Sequence, residues 1–163
     1  MGRFKYEPSL GPAQYRRTLY AFWRRSIAPT FLFDSAQRRV CEVRTNRTNT
    51  PLQALTLLND ETFREASRVL SLQTISSAAD PEARLAWLAK QILNRSPKNE
   101  EMPSLRQTLN AALLHYRNHP DDAQKALDSG QCVQPNESLA PEVAAYSIVA
   151  SLLLNLDEAI THE

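Results

Sequence analysis

The sequence predicts an all-α fold, an irregular bundle of six or seven helices around an apolar C-terminal helix. Three observations predict it. Apolar residues recur at helical spacing in segment after segment. Capping residues and prolines stand where those segments begin. Only three glycines occur (Gly2, Gly11 and Gly130) against ten prolines, which disfavours hairpin-rich β folds and removes Gly-rich phosphate cradles. The chain has 163 residues, 42% of them hydrophobic and 23% charged, enough to bury a core without disulfide or metal staples. Residues 1–163 are therefore read as a single helical domain.

Each element has its own local warrant. Over 12–27, Tyr15, Leu19, Phe22 and Trp23 share a face while Arg17 and Arg24 project oppositely, and Pro29 ends the segment. Residues 30–49 lack periodicity and read as an ordered loop. Thr50, Pro51 and Gln53 then spell an N-cap, a first-position proline and a capping-box partner, with Leu52, Leu55 and Leu58 as the expected inward face. Asn59-Asp60 caps a further helix carrying Phe63, Ala66, Val69 and Leu70 to about Leu72, and residues 73–79 read as a small-residue linker. Asp80-Pro81 restarts a helix with Leu85, Leu88, Ile92 and Leu93 inward, broken by residues 94–99. Pro103 belongs in the first turn of the next, whose stripe is Leu105, Leu109, Leu113 and Tyr116. Pro120 starts a short helix that stops near Gly130, and residues 131–136 form a loop. Ser138 is placed to cap the last helix, apolar almost all round from Val143 to Leu156, which belongs at the centre of a bundle.

Charge and length narrow the function classes. The net charge of +1 argues against bulk DNA or an anionic membrane as partner. It conceals an asymmetry, because residues 1–50 hold ten basic and three acidic side chains (+7) and the remainder nine and fifteen (−6). Such halves commonly neutralise one another, and the alternative, nucleic-acid binding through residues 1–50, is weakened by aromatics that lie opposite Arg17 and Arg24. The longest apolar stretch, 147–156, is far short of the ~20 residues of a bilayer span, so no membrane span is expected. Cys41 and Cys132 allow at most one intrachain disulfide, and no CxxC pair supports a zinc cluster or haem attachment.

Polar groups concentrate in segment 34–60, where Asp34, Arg39, Arg44, Arg47, Asn49 and Gln53 are the candidate ligand-binding residues. Arginines just ahead of a capped helix start could hold a carboxylate or phosphate, as forks and backbone N–H groups point into one space. The competing reading is that these groups brace an irregular loop, each arginine tying down carbonyls or acids. His115 and His119 have the spacing of helical metal ligands, but Tyr116 follows His115, HExxH is absent and Pro120 ends the helix, so no metal is expected. Arginines near Cys41 could activate a thiol, yet no base accompanies it. Glu100-Glu101 and Asp157-Glu158 read as solvated charges at helix ends. Asn46-Arg47-Thr48, Asn94-Arg95-Ser96 and Asn136-Glu137-Ser138 are formal glycosylation sequons. No catalytic residue and no cofactor is assigned.

Four pieces of the chain together carry a family signature. They are the run from Tyr15 through Trp23 to Arg25, then Phe33-Asp34 with Arg39 and Cys41, then Arg47-Thr48-Asn49-Thr50-Pro51-Leu52-Gln53-Ala54-Leu55 running on to Asn59-Asp60, and last Leu153-Leu154-Asn155-Leu156-Asp157-Glu158. In matching order from about residue 13, these resemble the C-terminal part of the planctomycete-specific domain one family, a domain of unknown function. That family usually has proline where Glu61 stands, a helix-start feature that Asp60 can still cap. The resemblance implies a piece of a larger exported protein, periplasmic or extracellular, with other domains of the parent or a partner chain as its contacts. Any haem chemistry of such a parent would reside in another of its domains. No catalytic residue is implied.

The leading expectation is a non-catalytic interaction or scaffold module of an exported bacterial multidomain protein. The alternative is a ligand-binding or hydrolytic domain that uses segment 34–60 on an anionic substrate such as an acidic polysaccharide.

Overall fold

Local capping chemistry sets the helix starts. The computed structural model describes residues 50–128 and 136–160, which form seven α-helices and one 3-10 turn, with no strand among the described residues. The segments at 12–27 and 30–49, and most of the loop at 131–136, lie outside them. Helix α1, Pro51–Asn59, opens on the expected capping box. The Gln53 N–H donates to Thr50 Oγ1 at 3.3 Å and the Thr50 N–H donates to Gln53 Oε1 at 2.7 Å. Asp60 then does two jobs. Its N–H donates to the Thr56 carbonyl at 2.7 Å to close α1, and its Oδ1 accepts the Thr62 N–H at 2.9 Å to cap α2, Glu61–Ser77. Helix α3, Pro81–Leu93, is capped by Asp80, whose Oδ2 accepts the Ala83 N–H at 2.9 Å. It stops at Asn94, which adopts the left-handed conformation (φ 59°) that asparagine tolerates better than most residues.

Helices α4, Glu101–Asn118, and α5, Pro120–Leu127, follow, with Pro103 in the first turn of α4 as expected. Ser138 does not cap the last long helix. It lies in the 3-10 turn Glu137–Leu139, and α6, Ala140–Leu154, starts without a side-chain cap, helped by the preset φ of Pro141. A single further turn, α7, Asp157–Ile160, ends the described chain.

Helix α6 is the axis of this unit, and every other helix touches it, α2 and α4 most extensively. Val143, Tyr146, Val149, Ala150 and Leu153 of α6 meet Leu85, Leu88 and Leu93 of α3, Leu109 and Tyr116 of α4, and Ala123 and Leu127 of α5 in one apolar cluster. The α3 and α4 stripes are those the spacing predicts, with Ile92, Leu105 and Leu113 partly buried at the margin. By length and composition alone the 18 residues Glu137–Leu154 would reach across a bilayer, but here they serve as the rod on which the bundle packs. The expectation of burial all round is corrected: Ile148 is 39% and Leu152 44% exposed. These two lie one turn apart, on a strip of α6 that its neighbours leave open.

Two further faces differ from the pattern expected. In α1 the three leucines point outward, Leu52 and Leu55 being more than half exposed, while Gln53 and Leu57 are buried. Amphipathicity shows that a helix has an oily side but does not say which neighbour will cover it. In α2 the fully buried residues are Glu65, Ser67, Arg68, Ser71 and Thr74, while Phe63, Ala66, Val69 and Leu70 are only partly buried. Hydroxyl chemistry explains that inversion. Ser67, Ser71 and Thr74 each donate to the carbonyl four residues back, at 2.8, 2.6 and 2.7 Å, so their polar atoms enter the interior already satisfied. Ser76 donates to the Leu72 carbonyl at 2.9 Å and Ser77 to that of Thr74, three residues back, at 2.7 Å, and most of the expected linker at 73–79 is helix. The small side chains let α2 approach α6 closely, and Ser71 Oγ and Ser147 Oγ share a hydrogen bond of 2.8 Å across the seam.

Candidate functional site

Of the six candidate ligand-binding residues, Asp34, Arg39, Arg44, Arg47 and Asn49 lie outside the described residues. Gln53 is described and nearly buried, and its side-chain oxygen is engaged by the Thr50 N–H. That places it as a helix-start residue, with its carbonyl group turned back along the chain.

Two concave regions are lined by polar side chains among the described residues. One, of about 680 Å³, lies between α5 and the start of α6 and is lined by Asp121, Gln124, Lys125, Asp128 and Glu137 with Leu127 and Ala140. Its described lining includes three carboxylates and one ammonium, and all the polar side chains described there are exposed. The other is an open groove between α4 and α6, of about 470 Å³, lined by Gln107, Thr108, Ala111, Ala112, His115, Tyr116 and Ile148. At its end the His115 and His119 rings stack with centroids 4.8 Å apart, and Tyr116 meets the His115 ring edge-on. His115 Nε2 lies 3.9 Å from Asp122 Oδ2, beyond hydrogen-bond reach. His119 Nδ1 is 3.1 Å from the His115 carbonyl, so that ring helps finish α4, as its position at a helix C-terminus favours. Burial raises the Tyr116 pKa, which keeps the phenol neutral and makes it a poor base. The hydroxyl of Thr108 donates to the Ser104 carbonyl at 3.0 Å. Among the described residues, no nucleophile with an aligned base is assembled in this groove. Among the described residues no group of three or more His, Cys, Asp or Glu side chains is placed to hold a metal ion.

Guanidinium groups instead act as ties between elements. Arg64 and Arg68, one turn apart on α2, donate to the carbonyls of Ala126 (3.3 Å) and Leu127 at the C-terminus of α5, where positive charge suits the helix dipole. Arg68 is buried alongside Glu65, with Nη2 to Oε1 at 3.9 Å. Arg84 of α3 donates to the Ala78 carbonyl and to Glu142 of α6, both at 2.6 Å, and lies over the Tyr146 ring. Burial works against its charge, but bonds to Tyr146 and Glu142 outweigh that and raise its pKa. Arg95, just after α3, grips two carboxylates. It donates to Glu101 through Nη1 and Nη2, both at 2.9 Å, and to Glu158 through Nε at 2.5 Å and Nη2 at 2.7 Å. The Arg95 bond and the Lys98 N–H hold the Glu101 pKa down to about 2, and the Arg95 bond lowers that of Glu158. Glu101 and Glu158 therefore do not stand as lone solvated charges. Sequence reasoning missed this cluster, because a pair 63 residues apart leaves no local signal.

The hydrogen bonds of Arg64, Arg68, Arg84 and Arg95 thus join secondary-structure elements to each other or to a connection, while the Arg68–Glu65 pair lies within α2. No curated protein and no solved structure matches the chain. Residues 3–109, which include nearly all of the basic segment 1–50 and helices α1 to α3, match the model of the family described as PSD1, protein of unknown function (DUF1553), and the chain belongs to that family.

Proposed function

We propose that this chain is a non-catalytic helical interaction or scaffold module of an exported bacterial multidomain protein, contacting other domains of its parent or a partner chain. The observation that carries the reading is the outward leucine face of α1. Leu52 is 58% exposed and Leu55 57%, beside a bundle whose core is already filled. Adjacent exposed leucines on one helix face favour a contact surface over bulk solvent. Helix α1 also carries no charged side chain, as suits the centre of an interface better than its rim. The ties made by Arg64, Arg68, Arg84 and Arg95 support a rigid scaffold rather than a site that must bind and release a substrate. The exported, multidomain setting rests on the resemblance described above.

The test is the double variant Leu52→Asp/Leu55→Asp. Neither leucine belongs to the buried cluster, so the melting temperature should stay within a few degrees of the parent's. Association with the separately expressed neighbouring domains of the parent protein, followed by sedimentation velocity, should be lost. Association unchanged in that variant would refute this surface. Turnover of an ester or glycan by the isolated chain, abolished by one substitution in segment 34–60, would refute the non-catalytic reading.

A further inference from the structure

We propose that His115 and His119 chelate a divalent cation of the Zn2+, Ni2+ and Cu2+ class on the last turn of α4. The backbone sets the pair in place. The His119 N–H donates to the His115 carbonyl at 2.9 Å, which closes the turn carrying both residues, and Pro120 ends the helix only after both rings are placed. The rings stack with centroids 4.8 Å apart and planes 26° from parallel. Two nitrogens on one ion, each at the usual metal–nitrogen length of about 2.0–2.1 Å, stand about 3–3.5 Å apart. Both rings are exposed and already neighbours, so turning about their Cβ–Cγ bonds brings them to that separation with no change of backbone.

The nitrogens are prepared for it. His119 Nδ1 faces the His115 carbonyl at 3.1 Å. A carbonyl can only accept, so Nδ1 carries the proton and the lone pair lies on Nε2. A backbone carbonyl on the other ring nitrogen is the usual second partner of a metal-bound histidine. Neither Nε2 has a hydrogen-bond partner among the described residues, and the nearest acid, Asp122, keeps its Oδ2 3.9 Å from that of His115. Negative potential comes from two sources, the last carbonyls of α4 and the Asp122 carboxylate, whose other oxygen lies 3.3 Å from Lys125 Nζ. Arg117 stands two residues from each histidine, on a different face of the helix. With two protein ligands, water completes the shell, in keeping with the lack of a three-ligand group among the described residues. The expectation of no metal rested on the missing HExxH pattern and on Pro120, and a pair of rings needs neither. Imidazole suits Zn2+, Ni2+ and Cu2+, whereas Mg2+ prefers oxygen.

Zn2+ alone, titrated into the full chain and followed by nuclear magnetic resonance of the histidine rings, tests this. The chain has three histidines. Signals of His115 and His119 should move together and saturate at one equivalent of Zn2+, and Mg2+ should move neither. His115→Gln and His119→Gln change exposed side chains, and each should weaken binding at least about tenfold, because the second ring acts as an intramolecular ligand. The thermal midpoint should rise with Zn2+ in the parent and rise less in either variant. Movement of the His162 signals alone, or unchanged affinity in either variant, would overturn the proposal.

Discussion

Replacing Arg68 by methionine keeps most of the side chain's length while removing its charge and its donors. In the folded chain Arg68 is 2% exposed and Glu65 3%, and the Arg68 guanidinium supplies a donor to the Leu127 carbonyl at the end of α5. Methionine leaves that carbonyl without this donor and the buried Glu65 carboxylate without its neighbouring cation. Removing one partner of a buried pair typically costs about 3–5 kcal/mol, mostly the penalty on the charge left behind. Net stabilities of single domains run at about 5–15 kcal/mol, so the loss is a large share of the total. With a urea m-value of about 2 kcal/mol/M, the midpoint should fall by about 1.5–2.5 M at unchanged slope. Urea titration followed by far-UV circular dichroism reads this directly. A second variant, Glu65→Gln/Arg68→Met, removes the Glu65 charge as well and should recover at least about 1 kcal/mol of the loss. A single-variant cost below about 1 kcal/mol, or a double variant no better than the single, would refute the assignment of the pair as a buried electrostatic tie.

Three further outcomes are expected. Glu101 and Glu158 have lowered pKa values in the fold, so their contribution is complete above the ordinary carboxylate range and is lost as pH falls below it, that of Glu101 as pH drops from about 4.5 towards about 2; Arg95→Ala should flatten that part of an acid melting-temperature profile. Burial raises the Tyr146 pKa although Arg84 opposes it, so the stabilising effect of the neutral phenol is present below pH ~10 and is lost as pH rises through the folded value. Tyr146→Phe should show a smaller drop in thermal midpoint between pH 9 and pH 11.5 than the parent. At the α2–α6 seam, Ser71→Ala should cost only about 0.5–1.5 kcal/mol, whereas Ser71→Leu should cost more than Ser71→Ala, by about 1–3 kcal/mol of overpacking, in the same urea assay. Equal costs would show that the seam is not close-packed.

The helix starts were legible because their causes lie within a few residues. Thr50-Pro51-Leu52-Gln53, Asp60 and Asp80-Pro81 cap the helices that the sequence places after them. The stripes of α3 and α4 were legible for a similar reason, since Leu85 and Leu88 share a face of α3, and Leu109 and Tyr116 a face of α4, however those helices are packed. The orientation of α1 and the strip at Ile148 and Leu152 were not, because periodicity carries no information about neighbours. The face of α2 was misread for a chemical reason. Serine and threonine count as polar in any pattern, yet in a helix they satisfy themselves on the preceding turn and can go inside. The Arg95 clamp depends on two chain segments meeting, which no short window contains. Of the candidate ligand residues only Gln53 falls among the described positions, and its role there is the one its spacing from Thr50 implies.

The helix that organises the bundle is made after those it organises. Helices α2 to α5 leave the ribosome first, and the side of each that will face α6 stays wet until residues 140–154 have been added. At cellular elongation rates the interval between α2 and the end of α6 is roughly 5–20 s. A nascent chain in that interval carries Leu85, Leu88 and Leu109 without their final neighbours. A product truncated before Ala140 would lack the helix on which α2 to α5 pack, and protection of the growing polypeptide by a chaperone would matter most in that window.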